Sequence, residues 1–145
     1  MAHIPTRQFG LLDYDPAAVV AFPAGLPGFE NQTAFVLVEE PNTAPIVFLQ
    51  SVDSLDLCFL AVPVNTLDPT YELAMTPEDR SRLELDLHGE VLSLAILSAP
   101  ENGPTTANLL APVVINLRTR RAVQAVRADS RYSHQQPLSA SEASC

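Results

Sequence analysis

Proline interrupts this chain thirteen times in 145 residues. A proline inside a helix removes a backbone donor and collides with the preceding turn, so long helices are excluded. The pieces between the prolines are short and rich in Val, Leu, Ile and Phe, as β-strands are. Residues 8–14 and 19–22 are the first two strand candidates. Residues 34–40 (Ala-Phe-Val-Leu-Val-Glu-Glu), 46–51 and 57–62 follow, and their connections are too short for crossover helices, so an antiparallel meander is expected. Residues 91–99 form the most apolar run and read as a central strand. Residues 105–110, 113–117 and 121–127 complete the set, with Pro112 breaking the first pair and Arg118-Thr119-Arg120 turning the second.

One helix is predicted, over Pro77–Leu83. Thr76 can cap it, Pro77 suits a first helical position whose N–H has no partner, and Asp79 stands where a capping box places its acid. Beyond it, Leu83, Leu85 and Leu87 alternate with Glu84, Asp86 and His88, which predicts an extended segment with one buried face. About nine short strands and one short helix give a mainly β fold, a small antiparallel pseudo-barrel or a two-sheet sandwich. Residues 1–138 read as one domain and residues 139–145 as a disordered tail.

Residues 22–30 (Phe-Pro-Ala-Gly-Leu-Pro-Gly-Phe-Glu) hold two prolines and two glycines among three large apolar side chains. Pro27 presets the first central position of a tight turn, and Gly28 supplies the positive φ that a type II turn needs next. Phe22, Leu26 and Phe29 are too apolar for a solvated linker. The stretch reads as a rigid corner folded onto a core, with direct partner contact as the alternative. Its Gly25-x-x-Gly28 spacing matches a phosphate-clamping loop, but Leu26 and Pro27 stand where such a loop carries a basic residue.

All eight basic residues are arginine. Residues 1–117 carry three of them against fifteen acids, a net of −12, and residues 118–145 carry five against two, a net of +3. Such a body repels phosphate backbones and attracts basic partners. The cluster Arg118, Arg120, Arg121, Arg127 and Arg131 leaves a direct RNA-binding role as the alternative function, with Tyr132 as the one nearby aromatic for stacking. Against it stands pairing of these arginines with acids of the same protein.

Catalytic and metal chemistry finds no support. His3, His88 and His134 lie far apart without ligand spacing. Asp129, Ser130 and His134 crowd one segment without a nucleophile elbow. Nucleotide-binding fingerprints are missing, and no cofactor is expected. Cys58 and Cys145 do not suggest a disulfide framework. No apolar run reaches membrane-spanning length, and the N-terminus shows no signal segment, so a cytoplasmic protein is expected.

The stretch Phe22-Pro23-Ala24-Gly25-Leu26-Pro27-Gly28-Phe29-Glu30 resembles the signature of the flagellar assembly factor FliW family. Further pieces resemble it in the same order: Phe9-Gly10, Phe48-Leu49-Gln50-Ser51, Asp56-Leu57-Cys58-Phe59, Leu94-Ala95-Ile96, residues 108–116 (Asn-Leu-Leu-Ala-Pro-Val-Val-Ile-Asn), Arg120-Arg121 with Gln124, Asp129-Ser130-Arg131-Tyr132 and Pro137-Leu138. The resemblance implies a β pseudo-barrel without catalytic activity. It implies two protein partners, flagellin and the RNA-binding translational repressor CsrA, and no direct nucleic-acid or membrane contact. It also implies non-competitive action on CsrA. The loop Phe22, Pro23, Gly25, Leu26, Pro27, Gly28, Phe29 and Glu30 is the first candidate structural or partner-binding site. Asn116, Arg118, Arg120, Arg121, Gln124, Arg131 and Tyr132 are the second candidate set. The chain departs from the family pattern in lacking lysine and tryptophan.

Overall fold

The apolar runs between the prolines form strands in the computed structural model, which describes residues 2–86, 89–129 and 131–138. Among the described residues there are eleven: β1 (Ala2–Thr6), β2 (Gly10–Tyr14), β3 (Val20–Ala21), β4 (Ala34–Glu39), β5 (Val47–Ser51), β6 (Cys58–Pro63), β7 (Val91–Ser98), β8 (Thr106–Ala107), β9 (Val113–Asn116), β10 (Ala122–Gln124) and β11 (Gln136–Pro137). A single helical turn, α1 (Val64–Leu67), the helix α2 (Pro77–Leu83) and two 3-10 turns, Pro16–Ala18 and Pro41–Thr43, complete the regular structure.

Strands β1 and β2 form a separate antiparallel hairpin. The other nine make one antiparallel sheet, in which β10, β9, β7, β6, β5, β4 and β3 are successive neighbours while β8 joins β7 to β11. The expected meander is β4–β5–β6, and β7 is central, paired with β6, β8 and β9. The sheet curls until its two edge strands meet, but among the described residues only one parallel bridge joins them, at Ala21 and Arg121. The Ala21 N–H donates to the Arg120 carbonyl at 2.8 Å. The structure is therefore a curled sheet with a seam and not a closed barrel.

Alternation decides where the core sits. Val20, Phe35, Leu49, Ala61, Leu94, Val113 and Ile115 point inside the curl and pack together with Phe22 and Leu26. Their neighbours point outward but are buried as well. Val62, Ala95 and Ala107 lie under Val64 and Leu67 of α1 and the aromatic rings of Tyr71 and Tyr132. Val114 and Val123 lie under Leu83 of α2. A strand covered on both faces has no reason to alternate in polarity, which is why residues 91–99 and 113–115 read as continuous apolar runs.

The helix α2 begins as predicted. The Thr76 hydroxyl accepts the Asp79 N–H at 3.0 Å, and the Asp79 carboxylate accepts the Thr76 N–H at 3.1 Å. It ends where an extended segment was expected. Leu83 is its last residue, Glu84 turns left-handed at φ 53, and the Leu85 N–H reaches back to the Arg80 carbonyl at 3.0 Å. Leu85 thus folds onto the cluster under α2 instead of entering a strand. Leu87 and His88 lie outside the described residues, as do Ser130 and residues 139–145.

Strands β1 and β11 and the turn α1 were not foreseen. Pro5 sits in β1 and Pro137 in β11, and each strand has one partner only, β2 and β8 respectively. An edge position tolerates a residue without a backbone donor. No described helix is long and apolar enough to cross a membrane.

Removing the cap tests the local account of α2. Thr76→Ala should lower unfolding free energy by about 1 kcal/mol, whereas Thr76→Ser should change it far less. Urea denaturation of both variants reads the difference.

Candidate partner-binding site

The loop after β3 is built from two turns. The first is closed by the Gly25 N–H on the Phe22 carbonyl at 2.9 Å. The second is the expected type II turn: the Phe29 N–H donates to the Leu26 carbonyl at 2.7 Å and Gly28 has φ +85. The Glu30 carboxylate accepts the Gly28 N–H at 3.2 Å and holds the tip. Gly25 also needs its missing side chain. At φ +67, a Cβ there would stand 2.5 Å from the Glu30 Cα.

Phe22 and Leu26 fold into the core, as the corner reading expects. Phe29 does not. It remains 38% exposed, with its ring edge-on to Phe59 at 5.4 Å. Pro23, Pro27 and Glu30 are exposed as well. The loop thus has a buried root and an exposed tip.

The second candidate set falls into two groups. In the first, the hairpin between β9 and β10 is fastened to the end of α2. Asn116 is buried; its amide donates to the Leu83 carbonyl at 2.9 Å, and its side-chain carbonyl accepts the Arg118 N–H at 2.9 Å. The Thr119 hydroxyl donates to the same Leu83 carbonyl, Arg118 to that of Glu84, and Arg121 to that of Arg82. The last carbonyls of a helix lack partners within it and favour positive charge, so this hairpin completes α2. Arg120 takes a left-handed conformation, φ 60, at the hairpin turn.

In the second group, Arg131 pairs with Glu72 at 2.8 Å and Arg127 forks onto both oxygens of Asp129 at 2.9 Å. Both guanidinium groups lie over the Tyr132 ring, which stacks on Tyr71 at 4.3 Å. The Glu72 N–H donates to the Tyr132 hydroxyl and the Tyr71 hydroxyl to the Leu109 carbonyl. The hydrogen bond from Arg127, then the Arg131 N–H, hold the Asp129 carboxyl below its ordinary range, and the bond to Asp129 raises Arg127. The bond to Glu72 likewise raises Arg131. Asp129 therefore holds arginine and does not orient a histidine. Burial pushes the Cys58 thiol up to about 11, opposite to what an activated nucleophile needs. Among the described residues no three His, Cys, Asp or Glu side chains gather into a metal site.

The loop and the hairpin set meet at the seam. A cavity of about 240 Å³ is lined by Gly25, Pro27 and Glu30 on one wall and by Ala122, Val123 and Gln124 of β10 on the other, with Arg82 at its rim. The Gln124 amide donates to the Ala111 carbonyl at 3.0 Å. Sequence reasoning named the loop wall and Gln124 but did not bring them together, and it missed Ala122, Val123 and Arg82, the last because its place depends on where α2 docks. It also missed an apolar groove of about 240 Å³ between α1 and β6, reached by Ile46, Leu60, Leu67, Leu97 and Leu138.

A family model described as "FliW protein" matches residues 3–138. The chain belongs to the FliW family. It is 32% identical over 138 residues to the flagellar assembly factor FliW 2 of Desulfotalea psychrophila, covering 95% of this chain and 91% of that one. It is 34% identical over 136 residues to the flagellar assembly factor FliW of Geotalea uraniireducens, covering 93% and 83%. A crystal structure of the flagellar assembly factor FliW superposes with a TM-score of 0.86 at 30% identity, covering 97% of this chain and 99% of that one. The FliW resemblance read from the motifs is thus borne out along the whole described fold.

The two loop glycines should differ in what they tolerate. Gly28→Ala meets no atom within 4 Å and bears only the cost of its positive φ, about 1 kcal/mol. Gly25→Ala bears the same cost plus a backbone collision, and should lose roughly 3 kcal/mol or more. Equal losses in chemical denaturation would refute the close-approach account.

Proposed function

We propose that this chain is a cytoplasmic flagellar assembly factor that binds flagellin before export and antagonises CsrA by protein–protein contact. The observation that carries this reading is the match to the FliW family over residues 3–138, with relatives named as flagellar assembly factors. The mechanism is mass action. Retained flagellin occupies the factor and leaves CsrA free to repress; exported flagellin releases the factor to capture CsrA. No catalytic step is involved.

The geometry supports contact through protein surfaces. Pro27 and Glu30 of the loop and Gln124 of β10 line one cavity, and with Phe29 at the loop tip and Arg118, Arg120 and Arg121 on the adjoining hairpin they form one candidate contact region. Asn116 supports that region from within. Arg131 and Tyr132 form a second, beside Glu72. The net charge of −9 steers a basic partner and chiefly affects association rate and its salt dependence. Direct RNA binding is disfavoured because Arg118, Arg121, Arg127 and Arg131 already bond carbonyls or carboxylates of the same protein.

Titrating flagellin into a preformed complex with CsrA tests the switch. Flagellin should displace CsrA; simultaneous binding without mutual weakening would end the proposal. Action on CsrA away from its RNA surface makes a second expectation. RNA should leave preformed CsrA–RNA faster as this protein's concentration rises, and a rate that never exceeds spontaneous release would favour competition instead.

A further inference from the structure

The seam leaves one strand edge without a neighbour. The Arg121 carbonyl accepts the Asn116 N–H and the Ala125 N–H donates to the Pro112 carbonyl, both at 2.9 Å. In an antiparallel ladder every second residue turns its main-chain groups to the partner strand. Residues 121, 123 and 125 therefore face β9, and residues 122, 124 and 126 face the seam. The Arg120 carbonyl obeys the same alternation, since it takes the Ala21 N–H across the seam. Past that bridge β3 turns away at Pro23 and Gly25, while β10 runs on. Among the described residues, the Ala122 carbonyl and both main-chain groups of Gln124 and Val126 have no hydrogen-bond partner.

Three further features suit this edge to another strand. The cavity of about 240 Å³ opens onto residues 122–124, and its nearest walls are Ala24, Gly25 and Ala122, which carry a methyl group or nothing. A main chain can therefore approach closely. Val126 follows directly and is 56% exposed, an apolar contact at the end of the edge. Glu30 and Arg82 both line this cavity, and among the described residues the Glu30 carboxylate accepts only the local Gly28 N–H, on a chain of net charge −9.

We infer that the free edge of β10 receives an extended segment of a partner protein by strand addition, with a small residue facing Gly25 and a basic residue facing Glu30. Main-chain hydrogen bonds to residues 122–126 hold the segment, and the rim charges select its side chains. This rests on the reading of the chain as a partner-binding assembly factor, and it assigns that reading a specific slot.

A proline substitution separates main chain from side chain. Gln124→Pro deletes the seam-facing N–H and leaves the hydrogen bonds to β9 intact, since proline is tolerated at an edge whose donor faces away. Gln124→Ala deletes the side-chain amide and keeps the N–H. Both variants and the parent protein are titrated with flagellin and with CsrA, and amide exchange is followed at Gln124. The expected result is at least tenfold weaker binding of one partner by Gln124→Pro than by Gln124→Ala, and at least tenfold slower Gln124 exchange in that complex. If Gln124→Pro fails to fold, exchange in the unmodified protein decides. Partners that bind without protecting Gln124, and bind Gln124→Pro as the parent, overturn the seam and leave the assembly role standing. If the parent binds neither partner, the assembly role fails, and the seam is judged with the peptide acetyl-Arg-Val-Ala-Val-Arg-amide at millimolar concentration. Shifts of the Gln124 and Val126 amide resonances uphold it, and their absence overturns it. Gln124 protection in the free protein that rises with concentration assigns the edge to a second copy, and protection lost on deleting residues 139–145 assigns it to the chain's own end; either overturns the proposal.

Discussion

Strand β9 and the centre of β7, Leu94 and Ala95, are buried on both faces, and two covers close the outer one. The inner face is provided for when the sheet curls, since Leu94, Val113 and Ile115 meet Phe22, Phe35 and Leu49 across the curl. The outer face is equally apolar, with Ala95 and Val114 pointing away from that core. Left bare, it would be a contiguous exposed patch of the kind monomeric proteins avoid. Two covers close it. One is α1 with the tyrosine pair; the other is α2 with Leu85 folded beneath its end. Each cover is a short element with little stability of its own, so each is bolted down by polar contacts. Asn116 and Thr119 share the Leu83 carbonyl for α2. Arg127, Arg131 and Tyr132 converge on Glu72 for the other cover.

This division explains which features the sequence revealed. The start of α2 was legible because a capping box lies within four residues. The type II turn at Leu26–Phe29 was legible for the same reason: Pro27 and Gly28 carry its dihedral requirements themselves. The central strands were legible from composition, since burial on both faces leaves an apolar run. Features set by distant partners were not. The alternation of Leu83, Leu85 and Leu87 is a valid strand signal, yet the left-handed Glu84 overrides it and sends Leu85 under the helix. Strands β1 and β11 contain proline and exist only through pairing with one neighbour. Phe29 looks like Phe22 in sequence, but the turn between them puts one ring in the core and leaves the other at the surface. The seam depends on which two strands end as edges, which no local pattern encodes.

The arginines show the same limit. Sequence placed five together near the C-terminus and left open whether they face a partner, RNA or the protein itself. The structure separates them into a group at the end of α2 and a group around Tyr132. In both, guanidinium groups bond main-chain carbonyls as well as carboxylates, a use that suits the planar fork of arginine better than the point charge of lysine. The lack of lysine in this chain is consistent with that demand at Arg118, Arg121, Arg127 and Arg131.

Arg120 joins two parts of the molecule that are otherwise separate. Its N–H donates to the Asn116 carbonyl at 2.8 Å, and its own carbonyl takes the Ala21 N–H at the same distance. Asn116 in turn grips the last turn of α2. One residue in a left-handed conformation is thus the rivet between a helix end, a hairpin tip and the opposite edge of the sheet. A molecule that grips the hairpin tip has leverage on the width of the seam, because both are set by the dihedral angles of that residue.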